Sequence, residues 1–184
     1  MLRKTKPSQD PVIARVNLET PLGPVFLEFS AAGLKSLTFA EADVTSPAAS
    51  PEFVPETELK GDILETWRRV VQALEDYFGG KPASFKNLPL DLEGSPFHLR
   101  VWQELMKIPP GETISYQEMA RRLGNPQASR AVGQACGANP IPLIVPCHRV
   151  IASNGALGGF SSGLERKRWL LVHEKANVKE CSGT

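Results

Sequence analysis

Ser-Tyr-Gln-Glu-Met-Ala-Arg-Arg-Leu-Gly-Asn-Pro-Gln-Ala-Ser-Arg-Ala-Val-Gly-Gln-Ala-Cys-Gly-Ala, residues 115–138, is the stretch that decides the fold. Ser115 is a helix-capping residue type, and Glu118 three places on completes a capping box for a helix over 116–123. Gly124-Asn125-Pro126 spells a tight turn, and 127–138, rich in Ala, Gly and Ser, predicts a second helix whose small side chains let a partner backbone come close. Two short helices joined across a Gly-containing turn form the helix-turn-helix pattern. Arg130 stands near the start of the second helix, where such motifs face nucleic acid. The pattern alone fits a purely structural helix pair as well, so the flanking residues have to decide.

Downstream, Asn139-Pro140-Ile141-Pro142 ends the second helix and Leu143-Ile144-Val145 forms a short apolar run into Pro146-Cys147-His148-Arg149. A thiol is nucleophilic as thiolate, and an unperturbed cysteine with a pKa near 8.5 is only a few per cent ionised at neutral pH. A base changes that. His148 is adjacent, although neighbours on a strand point to opposite faces, so a turn at Pro146 is needed to bring both into one pocket. Glu174 is the candidate third member, orienting the imidazole. Val150-Ile151 followed by Ser153-Asn154-Gly155 and Gly158-Gly159-Phe160 predicts a hairpin-like excursion. A last helix is expected over 164–174 with Trp169, Leu170 and Val172 facing inward, and a loose tail after Lys175.

Upstream, Ser95-Pro96 has the cap-then-proline signature of a helix start, with Phe97, Val101, Leu105 and Ile108 as its apolar stripe up to Pro109-Pro110-Gly111. A boundary falls at 88–94, dividing the chain into 1–94 and 95–184. The first part reads as strands at 12–18, 25–30 and 34–39 in an antiparallel meander, and a Pro/Ala/Ser-rich loop over 42–57 covering the sheet edge. An amphipathic helix then runs from Leu59 to Phe78 and stops at Gly79-Gly80. Residues 1–94 hold no Cys and no His, which excludes a thiolate/imidazole zinc site there.

Composition narrows the class. The chain has 184 residues, with 41% hydrophobic and 22% charged, as ordinary globular proteins have. Its apolar runs fall short of the roughly 18 residues of a membrane span, and no apolar segment follows Met-Leu-Arg-Lys-Thr-Lys, so neither membrane insertion nor secretion is expected. Cys136, Cys147 and Cys181 make no disulfide framework, which favours a reducing compartment: the cytoplasm, or the nucleus of a eukaryote. The formal charge of +1 hides an asymmetry. Residues 1–94 carry 10 Lys/Arg against 14 Asp/Glu, net −4, while 95–184 carry 11 against 6, net +5. A face for a polyanion, if the chain has one, belongs to the second part.

Pro146-Cys147-His148-Arg149-Val150, preceded by Ser115-Tyr116, Arg130-Ala131-Val132-Gly133 and Asn139-Pro140 and followed by Gly158-Gly159-Phe160 and Leu170-Leu171-Val172-His173-Glu174, closely resembles the O6-alkylguanine-DNA alkyltransferases. The resemblance runs in order over 95–175. It implies an α+β fold of two subdomains: a variable ribonuclease H-like part over 1–94, with a small antiparallel sheet and a helix, and a mainly helical, winged-helix-like part over 95–184 carrying the helix-turn-helix.

The resemblance also implies roles. Cys147 would be the alkyl acceptor, His148 the base taking its proton through a water, and Glu174 the partner of His148. Tyr116 would donate to N3 of the extruded guanine and crowd its 3′ phosphate, and Asn139 would brace the two helices against the active-site turn. Arg130 would fill the gap left in the duplex, with Ala128, Ser129 and Gly133 of the same helix against the minor groove. Val150, Phe160, Ser161 and Cys136 would line the base pocket, the carbonyls of Cys147 and Val150 accepting from the guanine amine and the Ser161 amide meeting O6. Phe160 stands where relatives often have Tyr, Ser162 where Gly is frequent, and His98 where Gln is common. The expected partner is double-stranded DNA bearing O6-alkylguanine or O4-alkylthymine, met by a monomer, with clustering on DNA left open and with neither cofactor nor metal. A thioether on Cys147 offers water no electrophilic centre, so each molecule is expected to act once. Three alternatives stand beside this: a lesion sensor without repair, against which Cys147 argues, a transcription factor, for which 127–138 lacks base-reading side chains, and a thiol hydrolase.

Overall fold

The computed structural model describes residues 11–40, 54–81 and 84–178, which form a mixed α+β chain. It divides into two compact units, one ending at Glu93 and one beginning at Gly94.

In the first unit, alternation of apolar and polar residues produces β1 (Ala14–Leu18), β2 (Val25–Ser30) and β3 (Gly33–Phe39). They pair antiparallel in the order β1-β2-β3, with Val16 opposite Leu27 and Leu27 opposite Leu37. That register puts Ala14, Val16, Leu27, Leu37 and Phe39 on one buried face. The helix α1 (Gly61–Phe78) buries Thr66, Trp67, Val70, Ala73, Leu74 and Tyr77 at three- and four-residue spacing. Trp67 meets Phe29 edge to face at 6.3 Å, joining helix to sheet.

Gly33 is dictated by a close approach. A Cβ there would stand 2.3 Å from the Pro89 carbonyl oxygen, which accepts from the Leu34 amide at 2.9 Å as 89–91 runs alongside β3. Of the expected loop over 42–57, residues 41–53 lie outside the described residues. Val54 does reach the sheet edge, its amide donating to the Arg15 carbonyl at 2.9 Å, and a 3-10 turn follows at Glu56–Glu58.

In the second unit, Ser95 caps α2 (Pro96–Leu105) by accepting from the His98 amide, with Pro96 in the first turn. After the two-residue strand β4 (Ile114–Ser115), Ser115 caps α3 (Tyr116–Arg122), accepting from the Glu118 amide at 3.0 Å. The capping box is only half made. The Glu118 carboxylate turns to Arg121 and Arg122, at 2.6 and 3.2 Å, where it gains two cations. The second helix is shorter than its composition suggests: a 3-10 turn at Pro126–Ala128 precedes α4 (Ser129–Gly137). Trp102 ties α2 to α4, its indole N–H donating to the Ala135 carbonyl at 2.8 Å.

Three other expectations change. Val150 and Ile151 form β5 (Val150–Ile151), which pairs in parallel with β4 rather than with a returning strand, while the excursion itself closes at the expected turn, the Ala152 amide donating to the Ala156 carbonyl at 2.9 Å and the Gly155 amide to the Ala152 carbonyl at 3.0 Å. In α5 (Leu164–His173) the inward residues are Lys167, Leu170 and Leu171. Val172 is 53% exposed, and Trp169 is half-buried, stacked on His173. Nor is the segment after Lys175 loose throughout: Val178 is buried against Leu157 and Leu171.

Candidate active site

The site is built by the buried segment between α4 and β5, of which Ile141 through Val150 are all buried. Asn139 holds its entrance. The Asn139 side-chain amide donates to the Val145 carbonyl at 2.7 Å and to Cys147 Sγ at 3.1 Å, while its oxygen accepts from the Ile141 amide at 3.1 Å. Pro146 then turns the chain into a single 3-10 turn, Cys147–Arg149. Successive residues of such a turn are rotated by about 120°, so Cys147, His148 and Arg149 diverge where a strand would have alternated them.

Cys147 faces a cavity of about 120 Å³ lined also by Tyr116, Gly133, Cys136, Gly137, Gly159, Phe160 and Ser161. His148 is fully buried, and its Nε2–H donates to Glu174 Oε1 at 2.9 Å. Its other nitrogen, Nδ1, is buried without a protein partner. Phe160 packs edge-on to the imidazole at 6.4 Å, which is what this ring contributes without a tyrosine's hydroxyl. Glu174, immediately after α5, also receives Arg149 through two nitrogens, Nε and Nη2, at 2.9 and 2.8 Å. His148 and Glu174 thus meet directly, and Cys147 precedes His148 on its turn.

Burial raises the Cys147 thiol, against the Asn139 hydrogen bond and the charge of Lys167. Burial lowers His148, against its bond to Glu174. The Glu174 carboxyl, which burial alone would raise, is held well below its usual range by its hydrogen bonds from His148 and Arg149. The resting pair is therefore a neutral thiol and a neutral imidazole with an ionised carboxylate behind it. In such a site a thiolate forms only when a base takes the thiol proton. Burial likewise pushes the Tyr116 phenol up to about 12 and Cys136 up to about 12, so Tyr116 remains a hydrogen-bond donor and Cys136 an un-ionised pocket wall.

Of the other expected residues, Arg130 is exposed on α4, Ser129 is half-buried and Gly133 reaches the cavity. Ala128 is buried. Val150, expected in the pocket lining, is fully buried and is not among the residues that line the cavity. Its carbonyl accepts from Lys167 Nζ at 2.7 Å, and the same ammonium donates to Gly159 at 3.1 Å. Lys167 is the site residue that the sequence did not single out; a lysine three and four places before Leu170 and Leu171, on the apolar stripe of its helix, was the available signal. Cys181 lies outside the described residues. Among the described residues, no group of three His, Cys, Asp or Glu side chains could hold a metal ion, and no helix is long and apolar enough to cross a membrane.

Residues 96–176 match the model of the 6-O-methylguanine DNA methyltransferase DNA-binding domain. The methylated-DNA–protein-cysteine methyltransferase of Methanosarcina barkeri is 41% identical over 165 residues, spanning 88% of this chain and 97% of the relative. A probable methylated-DNA–protein-cysteine methyltransferase of Acanthamoeba polyphaga mimivirus is 50% identical over 109 residues, covering 59% of this chain and 72% of the viral one. Among solved structures, that of Mycobacterium tuberculosis OGT in complex with DNA matches with a TM-score of 0.72 at 39% identity, over 89% of this chain and 93% of that one.

Proposed function

The chain belongs to the methylated-DNA–protein-cysteine methyltransferase family of DNA repair enzymes, and from that premise we propose that Cys147 takes the alkyl group from O6-alkylguanine, and from O4-alkylthymine, in duplex DNA. The observation that carries this reading is the cavity in which Cys147 and Tyr116 share one wall system, with the His148–Glu174 pair at 2.9 Å behind the thiol.

An alkyl group on O6 lies inside the base stack, so a buried thiol reaches it only after the nucleotide is flipped, at a cost of a few kcal/mol. The exposed Arg130 on α4 enters the vacated stack and offsets part of that cost. The helix-turn-helix, α3 and α4, docks in the minor groove, where side chains read little sequence and a repair protein loses nothing by it. Gly133, Ser129 and the backbone at Ala128 permit the close approach. In the pocket the carbonyls of Cys147 and Val150 accept from the guanine amine, the Ser161 amide donates to O6, and Cys136 packs against the base.

The chemistry follows from the protonation states. His148 Nε2–H is committed to Glu174, so Nδ1 is the nitrogen with a free lone pair, and it takes the thiol proton through one water. The sulfur attacks the alkyl carbon, an S–C bond forms, and the C–O6 bond breaks with its electron pair remaining on the purine. Tyr116, still protonated, donates to N3 and stabilises that charge. The product thioether has no centre that water attacks, so one molecule repairs one lesion. The protein acts as a monomer in a reducing compartment, the cytoplasm or a eukaryotic nucleus, in which the free thiols Cys136 and Cys147 persist. The part before residue 95 serves as a ribonuclease H-like support, and the rest, winged-helix-like, carries both DNA binding and acceptor.

The test is incubation with duplex DNA carrying O6-methylguanine, followed by mass measurement of the peptide that contains Cys147. One added methyl per molecule is expected, with none in Cys147→Ala despite retained duplex binding. Repeated turnover, or methyl elsewhere, refutes the reading.

A further inference from the structure

Every acceptor position on the Glu174 carboxylate is filled. Oε1 accepts from His148 Nε2 at 2.9 Å and from Arg149 Nη2 at 2.8 Å, and Oε2 accepts from Arg149 Nε at 2.9 Å and from the Gly111 amide at 3.4 Å. The remaining guanidinium nitrogen, Nη1, donates to the Ile108 carbonyl. Arg149 is 5% exposed, and the Glu174 side chain 1%. A carboxylate offers about four acceptor sites, and here a planar fork takes two of them in the fixed geometry that only arginine supplies.

We propose that Arg149 is the positioning residue of the His148–Glu174 pair: its two-pronged grip on both oxygens orients the carboxylate and thereby dictates which imidazole nitrogen is left free as the base. This rests on the function proposed above. Glu174 stands at the very end of α5, where a glutamate side chain has several rotamers, and a single bond to a neutral imidazole does not select among them. With the fork in place, the carboxylate can neither rotate nor pick up a proton. An ionised carboxylate is an acceptor only, so the hydrogen must be on His148 Nε2, and Nδ1 keeps its lone pair. The third guanidinium arm anchors this assembly to the segment of residues 108–111 that leads from α2 toward β4, so the pair is braced from two sides.

Arg149 also bears on His148 by charge. The groups that do so are Lys167 of α5, Glu174 at its C-cap and Arg149 of its own turn; Glu174 favours the imidazolium, while Arg149 and Lys167 oppose it. The helix α2 also packs on this turn, but its titratable side chains, His98, Arg100 and Glu104, stay outside the buried set. The positioning role and the charge can therefore be separated by two substitutions.

The experiment is single-turnover methyl transfer from saturating O6-methylguanine duplex, followed across pH for the full chain and for R149K and R149Q. The amplitude counts folded, competent molecules, and the rate constant reports the chemistry in them. R149K keeps the cation and loses the fork: a rate constant at least tenfold lower is expected, with the acid limb of the profile in place. R149Q loses both: a similar or larger drop is expected, with the acid limb moved to higher pH because the imidazolium is no longer opposed by its neighbour. Rate constants and limbs that match the unmodified chain overturn the proposal, whatever the amplitudes. So does an R149Q chain that does not fold, since the residue would then be structural alone. If the unmodified chain itself places no methyl on Cys147, it is the proposed function that fails, which keeps the two outcomes apart.

Discussion

Lys167 Nζ donates to the Val150 carbonyl at 2.7 Å from a position with no solvent exposure. One ammonium thereby ties α5 to β5 and, through Gly159, to the cavity wall, at 3.1 Å. Replacing it with Met keeps the length but leaves two carbonyls short of a donor, and Lys167→Met should destabilise the chain by about 1–3 kcal/mol at neutral pH. The loss should depend on pH. Burial lowers the Lys167 pKa from 10.5 to about 8, so between those values the unfolded chain holds a proton that the folded chain has released. Stability conferred by the lysine therefore rises with pH across that window, by up to about 3 kcal/mol. Denaturant midpoints of both chains at pH 7 and pH 10 measure it; a difference that does not grow would refute the assignment of a buried ammonium.

Gly158 is where the backbone meets Tyr116. It has φ +69, and a Cβ there would stand 3.0 Å from Tyr116 Cε2 and 3.1 Å from the phenol oxygen. Gly158→Ala must accept a left-handed conformation, costing about 1–2 kcal/mol, and must displace the ring besides. Methyl transfer should slow by about tenfold, more than lost folded protein explains. The decisive comparison is the pair of substitutions. If the alanine acts by moving Tyr116, then adding it to Tyr116→Phe should cost little more than the Phe change alone.

What the sequence made legible follows from how local each signal is. The meander is written in alternation, α1 in its 3.6 period, and the starts of α2 and α3 in Ser95-Pro96 and Ser115, all of which act within a few residues. The β4–β5 pairing is two residues long and joins Ile114 to Val150 across 36 positions, so nothing near either strand announces it. On α5 the run Leu170-Leu171-Val172 permits more than one inward face, and burial of Lys167 selects the one with Leu171, against the lysine's ordinary preference for water. At the site, residue types paired Cys147 with His148 and offered Glu174, 26 positions from His148, as a candidate third member, but that the two side chains meet is decided by the fold. The grip of Arg149 on that carboxylate is a matter of three-dimensional geometry and has no sequence signature beyond adjacency.

Acid should unfold the chain from its active site. His148 has its folded pKa lowered beneath 6.5, so as pH falls below 6.5 the unfolded chain takes up a proton that the buried imidazole does not, and stability drops. Glu174, held well below its usual 4.5, contributes stability above that value and loses it progressively as pH falls further. The two losses act in the same direction and in sequence. Thermal midpoints measured downward from pH 7 should decline first below about 6.5 and again below about 4.5. In Glu174→Gln the second decline should be weaker, even though the midpoint at pH 7 is already lower. An unchanged second decline would show that other carboxylates govern it.

Arg130 separates recognition of the duplex from the chemistry. It is exposed on α4, so its truncation should alter stability by no more than about 0.5 kcal/mol. If it occupies the stack vacated by the flipped nucleotide, Arg130→Ala should leave reaction with free O6-methylguanine base close to that of the unmodified chain, because the free base needs no extrusion. Reaction with the same lesion in duplex should fall by at least tenfold, which is about 1.4 kcal/mol of lost stabilisation of the extruded state. Single-stranded DNA should lie between, having less stacking to overcome. Measuring all three substrates side by side distinguishes this role from general phosphate attraction. A pure charge effect weakens single- and double-stranded substrates alike and fades with added salt, whereas the gap between duplex and free base in a stack-filling role should persist at high ionic strength.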